Sequence, residues 1–145
     1  MCGLTGLIRA AGGAMTAADL DAMTDLVRHR GPDGFGRAFF GLEGDKPCEV
    51  GPEGPWRVAL GHRRLKILDL SEAALQPMTD GAGRWLVYNG EVYNYLELRA
   101  ELEAAGHRFH TTGDTEVILA AWREWGEACF DRFCGMWALL LVDLP

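Results

Sequence analysis

Met1-Cys2-Gly3-Leu4-Thr5-Gly6 opens the chain. Removal of an initiator methionine is usual when the next side chain is small. Here it would leave Cys2 carrying both a thiol and a free α-amine. A thiol ordinarily titrates near ~8.5 and an α-amine near ~7.7–8.0, so the amine sits where a general base serves best at neutral pH. The thiol is already the most nucleophilic of the common side chains. A nucleophile that carries its own base needs a pocket and no separate histidine. The same residues also read as the start of a buried strand. Cys2 to Ile8 alternates small and apolar side chains, and Gly3 and Gly6 suggest close approach by another backbone or a ligand. By itself the stretch leaves both readings open.

Composition narrows the class. The chain has 145 residues, which fits one domain. Its hydrophobic share of 48% and charged share of 24% are those of an ordinary soluble protein. The net charge is −7, and the only short basic run is His62-Arg63-Arg64-Leu65-Lys66, which is too small for a nucleic-acid face. No apolar run approaches the ~18–20 residues of a membrane span, and no charged-then-apolar signal opens the chain. A cytoplasmic protein without membrane or nucleic-acid partners is expected. Cys2, Cys48, Cys129 and Cys134 form no C-x-x-C pair, so zinc is not expected, and reduced thiols are the default. Cys129 and Cys134 read as small core residues. His107 and His110 fall on opposite faces of an expected strand, which argues against a shared metal.

Along the chain, Thr16-Ala-Ala-Asp19 reads as a helix start, with Leu20, Met23, Leu26 and Val27 at helical spacing. Pro32 and two glycines break that helix at His29-Arg30-Gly31-Pro32-Asp33-Gly34. Arg37 to Phe40 and Trp56 to Gly61 read as strands, joined by a glycine- and proline-rich hairpin loop or insertion over 41–55. A basic turn follows at Arg63-Arg64, then a loop over 71–83. Trp85 to Tyr88 is an apolar strand that ends at Asn89-Gly90, a strong hairpin-turn dipeptide. Asn94 to Glu97 has capping-box form. Tyr95, Leu98, Leu102 and Ala105 share the helical face that follows, and Gly106 stops it. His107 to Thr111 reads as a strand. Asp114, readable as an N-cap, introduces a helix with Val117, Ile118, Ala121, Trp122 and Trp125 on its apolar face. Met136 to Val142 is an apolar run of strand length. Clustered strands with irregularly spaced helices argue for an α+β layered fold over regular βαβ alternation.

Four polar features stand at strand ends or turns, where sites are usually built: Cys2, Arg63-Arg64, Asn89-Gly90-Glu91 and Gly113-Asp114. Their wording and order together resemble the glutaminase domain of class II glutamine amidotransferases of the asparagine-synthetase type. The matching pieces are Met-Cys-Gly at 1–3, Arg-His-Arg-Gly-Pro-Asp-Gly at 28–34, Gly-His-Arg-Arg-Leu at 61–65 and Ile-Leu-Asp at 67–69. Further pieces are Gln-Pro-Met at 76–78, Tyr-Asn-Gly-Glu-Val-Tyr-Asn-Tyr at 88–95, Gly-Asp-Thr-Glu-Val-Ile-Leu at 113–119 and Phe-Cys-Gly-Met-Trp-Ala at 133–138.

The resemblance implies a four-layer αββα N-terminal-nucleophile hydrolase sandwich with antiparallel sheets, truncated at its C-terminus, with residues 1–145 forming an incomplete glutaminase domain. It implies hydrolysis of L-glutamine to glutamate and ammonia through a Cys2 γ-glutamyl thioester. Asn89 and Gly90 would supply the oxyanion hole. Arg64 would bind the α-carboxylate through its planar fork. Asp114 and Glu91 would bind the α-ammonium, while Leu65, Ile67 and Leu68 line the pocket. Arg63, on the opposite face of an extended segment, is expected to be solvated, and the His29 to Gly34 turn has no chemical role beyond shaping a loop. No cofactor is implied for this domain. ATP and Mg2+ belong to a synthetase domain missing from this chain, where ammonia would meet an activated carboxylate, most simply aspartate. A homodimer is compatible with the resemblance. The stop after the Met136–Val142 strand leaves apolar edges uncovered and keeps a catalytically silent module in view. An N-terminal-nucleophile amide hydrolase for other substrates is the third reading.

Overall fold

The strand expected at the start of the chain is present, and its alternate side chains turn toward two different cores. In the computed structural model, which describes residues 2–10 and 12–144, β1 covers Gly3–Ile8. On one face Leu7 packs with Leu20, and Thr5 Oγ1 lies 2.6 Å from Thr24 Oγ1. On the other, Leu4 packs against Leu60 and Val87. β1 pairs antiparallel with β4 (Trp56–Arg64), which pairs with β2 (Gly34–Glu43), which pairs with β3 (Lys46–Val50), giving the order β1-β4-β2-β3. A second antiparallel sheet has the order β5-β6-β7, from Met78–Thr79, Arg84–Val92 and Gly135–Asp143.

The sheets stack face to face, with Ala38, Phe40, Leu60 and Val87 between them. Helix α1 (Ala17–Leu26) covers the outer face of the first sheet over Leu7, Phe39, Trp56 and Ala59. Helices α2 (Tyr95–Ala104) and α3 (Asp114–Trp125) cover the second over Leu86, Tyr88 and Val92. The result is the four-layer αββα sandwich that the resemblance implies. Because β2 and β4 are covered on both faces, consecutive residues such as Phe39 and Phe40, or Ala59 and Leu60, are all buried, each pair split between two cores.

Several local expectations need correction. β2 and β4 run past their apolar centres, so Arg63 and Arg64 end a strand and do not form a turn. The 41–55 segment is a hairpin containing β3, turned at Gly44 (φ 64°). Asn89-Gly90 is not a hairpin turn. β6 runs through both, paired with Ala138 and Trp137 of β7. In α1, Leu20 and Thr24 are the buried pair, whereas Met23 and Leu26 are exposed. Thr24 can be buried because its hydroxyl donates to Leu20 O at 2.7 Å and contacts Thr5. Asn94 makes no side-chain cap to α2. Its Oδ1 accepts from Cys134 N at 2.9 Å and its Nδ2 donates to Arg132 O at 3.0 Å, tying α2 to the entrance of β7. His107 to Thr111 forms no strand. Gly106 (φ 101°) ends α2, with His107 N donating to Leu102 O and Gly106 N to Glu103 O, the paired closure of a Schellman stop. Cys129 is buried, but Cys134 is exposed at the start of an edge strand. Met136, Trp137 and Leu140 on that strand carry exposed apolar surface. Among the described residues, no helix is long and apolar enough to cross a membrane.

A Cβ added at Gly61 would overlap the hydroxyls of Thr24 and Thr5 between α1 and the first sheet. Both are β-branched, packed and hydrogen-bonded, so little room can open. Gly61→Ala is expected to destabilise the fold by about 1–3 kcal/mol, read as a lower denaturant midpoint at unchanged slope.

Candidate functional site

The antiparallel register of β1 on β4 sets Gly3 opposite Arg63. The first residue of β1 therefore lies at the last turn of register of β4, and Cys2 falls beside the chain that leaves Arg64. Residues Asn89 to Glu91 of β6 and the N-terminus of α3 close the same end of the sandwich. They enclose a cavity of about 210 Å³. Cys2, Arg64, Leu65, Ile67, Leu68, Asn89, Gly90, Glu91 and Asp114 all line it, so the structure gathers every expected site residue at one place. Gln76, Tyr88, Thr115 and Met136 line it too and were not read from sequence.

The start of the chain is held by its backbone and its sulfur. Leu65 N donates to Cys2 Sγ at 3.3 Å, and Arg30 Nε donates to Cys2 O at 3.1 Å. A Cβ at Gly3 would come within 2.6 Å of the Val27 side chain. The His29 to Gly34 segment therefore does more than shape a loop. Arg30 anchors Cys2. Asp33 N donates to Arg64 O at 2.9 Å, and Asp33 Oδ2 accepts from Lys66 N at 3.0 Å. One side chain and one short turn thus fasten the two segments that meet at the sulfur. Residues 1 and 145 lie outside the described residues, so the removal of Met1 expected above falls there.

Arg64 is only 4% exposed, and a buried guanidinium needs acceptors. It donates to Ser71 O at 2.6 Å and to Asp69 O, so the 65–71 segment curls around it. The Asp69 carboxylate in turn accepts from Ser71 N at 2.7 Å and from Thr112 N at 2.9 Å. Hydrogen bonds from Ser71 and then Thr112 hold it well below the usual carboxylate range. The same bonds tie the segment to the loop before α3. Arg63, expected to be solvated, is not. It points to the α1 face, pairs with Asp25 and sits over the Phe35 ring at 4.7 Å. The alternation of an extended strand separates the two arginines, as expected, but a carboxylate near the end of α1 is waiting on the other side.

Asp114 is the first residue of α3, following Gly113 at the N-cap position, and is 5% exposed. Its Oδ2 accepts from Tyr88 Oη at 2.7 Å and from Val92 N at 3.0 Å. It is therefore not the cap itself. Burial, and then the Asp114 carboxylate, push the Tyr88 hydroxyl far above its ordinary value. Tyr88 N donates to Gln76 Oε1 at 2.6 Å, and Gln76 Nε2 donates to Thr115 Oγ1 at 3.3 Å. His62 Nε2 is 3.2 Å from Tyr88 O, an acceptor, so the proton of the neutral ring is on Nε2. Gly90 is required by its neighbour: a Cβ there would overlap Met136 O and Trp137. Asn89 Oδ1 is buried without a hydrogen-bond partner among the described residues. Among those residues there is also no cluster of three His, Cys, Asp or Glu side chains fit for a metal. His107 is engaged by Glu124 at 2.9 Å.

With this geometry established, the chain can be set beside known proteins. Residues 1–144 match a family described as a glutamine amidotransferase domain. The chain is 37% identical over 145 residues to asparagine synthetase [glutamine-hydrolyzing] 1 of Bacillus subtilis, covering 97% of this chain and 20% of that protein. It is 35% identical over 158 residues to putative asparagine synthetase [glutamine-hydrolyzing] 2 of Methanocaldococcus jannaschii, covering 99% and 28% respectively. The chain thus spans well under a third of the length of these relatives. Among solved structures, the glutamine phosphoribosylpyrophosphate amidotransferase of B. subtilis aligns with a TM-score of 0.61 at 21% identity, over 97% of this chain and 34% of that one. The allosteric regulatory enzyme of purine biosynthesis aligns with a TM-score of 0.65 at 19% identity, over 99% and 37%. At these identities the likeness concerns the fold, which is the N-terminal-nucleophile sandwich.

The buried imidazole behind the cavity has a titration consequence. Burial above all, with the nearby Arg64 charge adding to it, pushes His62 down from 6.5 to about 4. A depressed folded value means that no stability is lost above the unfolded value. Stability then falls as the pH drops from about 6.5 toward 4. Between pH 7.5 and pH 5 the loss attributable to His62 is about 2 kcal/mol. Denaturant titrations at the two pH values are expected to show that loss in the wild type and not in His62→Gln, whose amide can still donate toward Tyr88 O.

Proposed function

The chain belongs to the glutamine amidotransferase domain family, and on that premise we propose that residues 1–145 form a glutaminase domain acting through Cys2. The observation that carries this reading is the convergence of the Cys2 sulfur, the buried Arg64 and the buried Asp114 on one cavity. Its volume suits a single free amino acid. Among the described residues Arg64 spends only two N–H groups, on Ser71 and Asp69; the remaining ones suit an α-carboxylate. Asp114, with Glu91 at the rim, suits an α-ammonium. Leu65, Ile67 and Leu68 supply the wall along the side chain.

Glutamine held at both charged ends extends its amide toward the sulfur. In the proposed step the α-amine of a processed Cys2 takes the thiol proton, and the sulfur attacks the amide carbon. The C=O electrons move onto oxygen, where Asn89 Nδ2–H and Gly90 N–H would stabilise the oxyanion. The amine returns its proton to the departing nitrogen, the C–N bond breaks, and ammonia leaves a γ-glutamyl thioester. Water, deprotonated by the same amine, then attacks the thioester and releases glutamate with the thiol restored. Leu65 N, already donating to the sulfur, would steady the thiolate. The wider reaction rests on the relatives, since this chain covers only part of their length. Ammonia would pass to an ATP- and Mg2+-dependent synthetase domain and amidate a carboxylate, with aspartate the first choice from the names of the relatives, in a cytoplasmic protein.

Cys2→Ala is expected to abolish ammonia release from glutamine while glutamine still binds. Asn89→Ala is expected to lower kcat by about 10²–10³-fold, the usual loss for one oxyanion donor. Steady-state ammonia assays and equilibrium binding measure both, and glutamine hydrolysis surviving in Cys2→Ala would overturn the proposal.

A further inference from the structure

Resting on the glutaminase reading, we propose that Tyr88 is a positioning residue that selects for the α-ammonium of a free amino acid by aiming the Asp114 carboxylate. Both donors to this carboxylate, the Tyr88 hydroxyl and Val92 N, land on the same oxygen, Oδ2. Oδ1 makes no hydrogen bond among the described residues, and Asp114 lines the cavity. Rotation about the final bond of an aspartate is soft and roughly two-fold, so one donor would leave either oxygen free to turn inward. Two donors from one strand, the Tyr88 side chain and the backbone N–H at the end of β6, fix the plane and leave one oxygen for a cation.

Tyr88 is suited to the task because it is itself held on every side. Its ring is 3% exposed in the α2–α3 core. Its N–H is taken by Gln76 and its carbonyl by His62. His62 and Arg64 sit two residues apart on β4, and alternation places them on one face. The residue proposed to grip the carboxylate and the one proposed to grip the ammonium are therefore registered against each other through His62 and Tyr88. The plain alternative is that a buried tyrosine hydroxyl simply needs an acceptor and that Asp114 would keep its place without it.

The two accounts separate in a double-mutant cycle on the intact protein, with ammonia release followed over a range of glutamine concentrations. Tyr88→Phe keeps the ring and removes only the hydroxyl. The expected result is a KM for glutamine raised about tenfold, in keeping with loss of a hydrogen bond to a charged group, with kcat within about threefold of wild type. In an Asp114→Ala background the same change is expected to bring no further loss in kcat/KM, because Tyr88 acts through Asp114. An unchanged KM in Tyr88→Phe, or losses that multiply in the double variant, would overturn the inference. So would a fall in kcat that simply follows a lowered melting temperature. If the wild type releases no ammonia from glutamine, the glutaminase reading itself fails, an outcome distinct from any of these.

Discussion

The pairing of β1 with β4 governs the site. A strand whose two faces pack against different cores resists slipping, because a shift of one residue exchanges its two sets of side chains. Here it would drive Thr5 and Leu7 into the space between the sheets and carry Leu4 out under α1. With the register fixed at Gly3 opposite Arg63, Cys2 has one place to be, next to the backbone leaving Arg64. The glycines of this region serve the same end. Gly3 admits Val27, Gly61 admits two threonine hydroxyls, and Gly31 lies where a side chain would overlap the Arg63 backbone.

Around that junction the buried polar groups form a connected set. Arg64 is enclosed by carbonyls of the segment that follows it, and that segment is tied by Asp69 to the entry of α3. Asp114, at the start of α3, is held by Tyr88, which is held by Gln76 and His62. Most of these groups meet the cost of burial on another's donor or acceptor, while His62 Nδ1 and Asn89 Oδ1 have no partner among the described residues. The arrangement brings a cationic and an anionic side chain, Arg64 and Asp114, to one small cavity, each held by its own hydrogen-bond partners. On the proposed reading a pocket of that polarity matches a zwitterion, and the Cys2 sulfur lines the same cavity.

Apolar spacing made the central strands and α3 readable, since both depend on contacts that recur every second residue or every third and fourth. Spacing misread Asn89-Gly90, because a dipeptide that favours tight turns is also the one that fits where β7 crowds β6. It misread Arg63 and Asn94 as well. Both side chains find partners, Asp25 and the 132–134 backbone, that are 38 or more residues distant along the chain. Thr24 replaced Met23 and Leu26 on the buried face of α1 because a threonine can satisfy its hydroxyl inside its own helix, something hydropathy does not register.

What the residues alone determined is the chemistry on offer: a thiol one place from the start, a planar cation after the first apolar strands, an amide-glycine pair, and an aspartate opening the last helix. Identity and order suffice for that, since nucleophilicity, charge and hydrogen-bonding capacity are properties of side chains. Only the tertiary structure decided that these groups share one cavity, that Arg30 and Asp33 brace it, and that Tyr88 and His62 stand behind the aspartate. Those facts depend on distances between segments far apart in the chain, and such distances are set by sheet register and by the pairing of buried polar atoms.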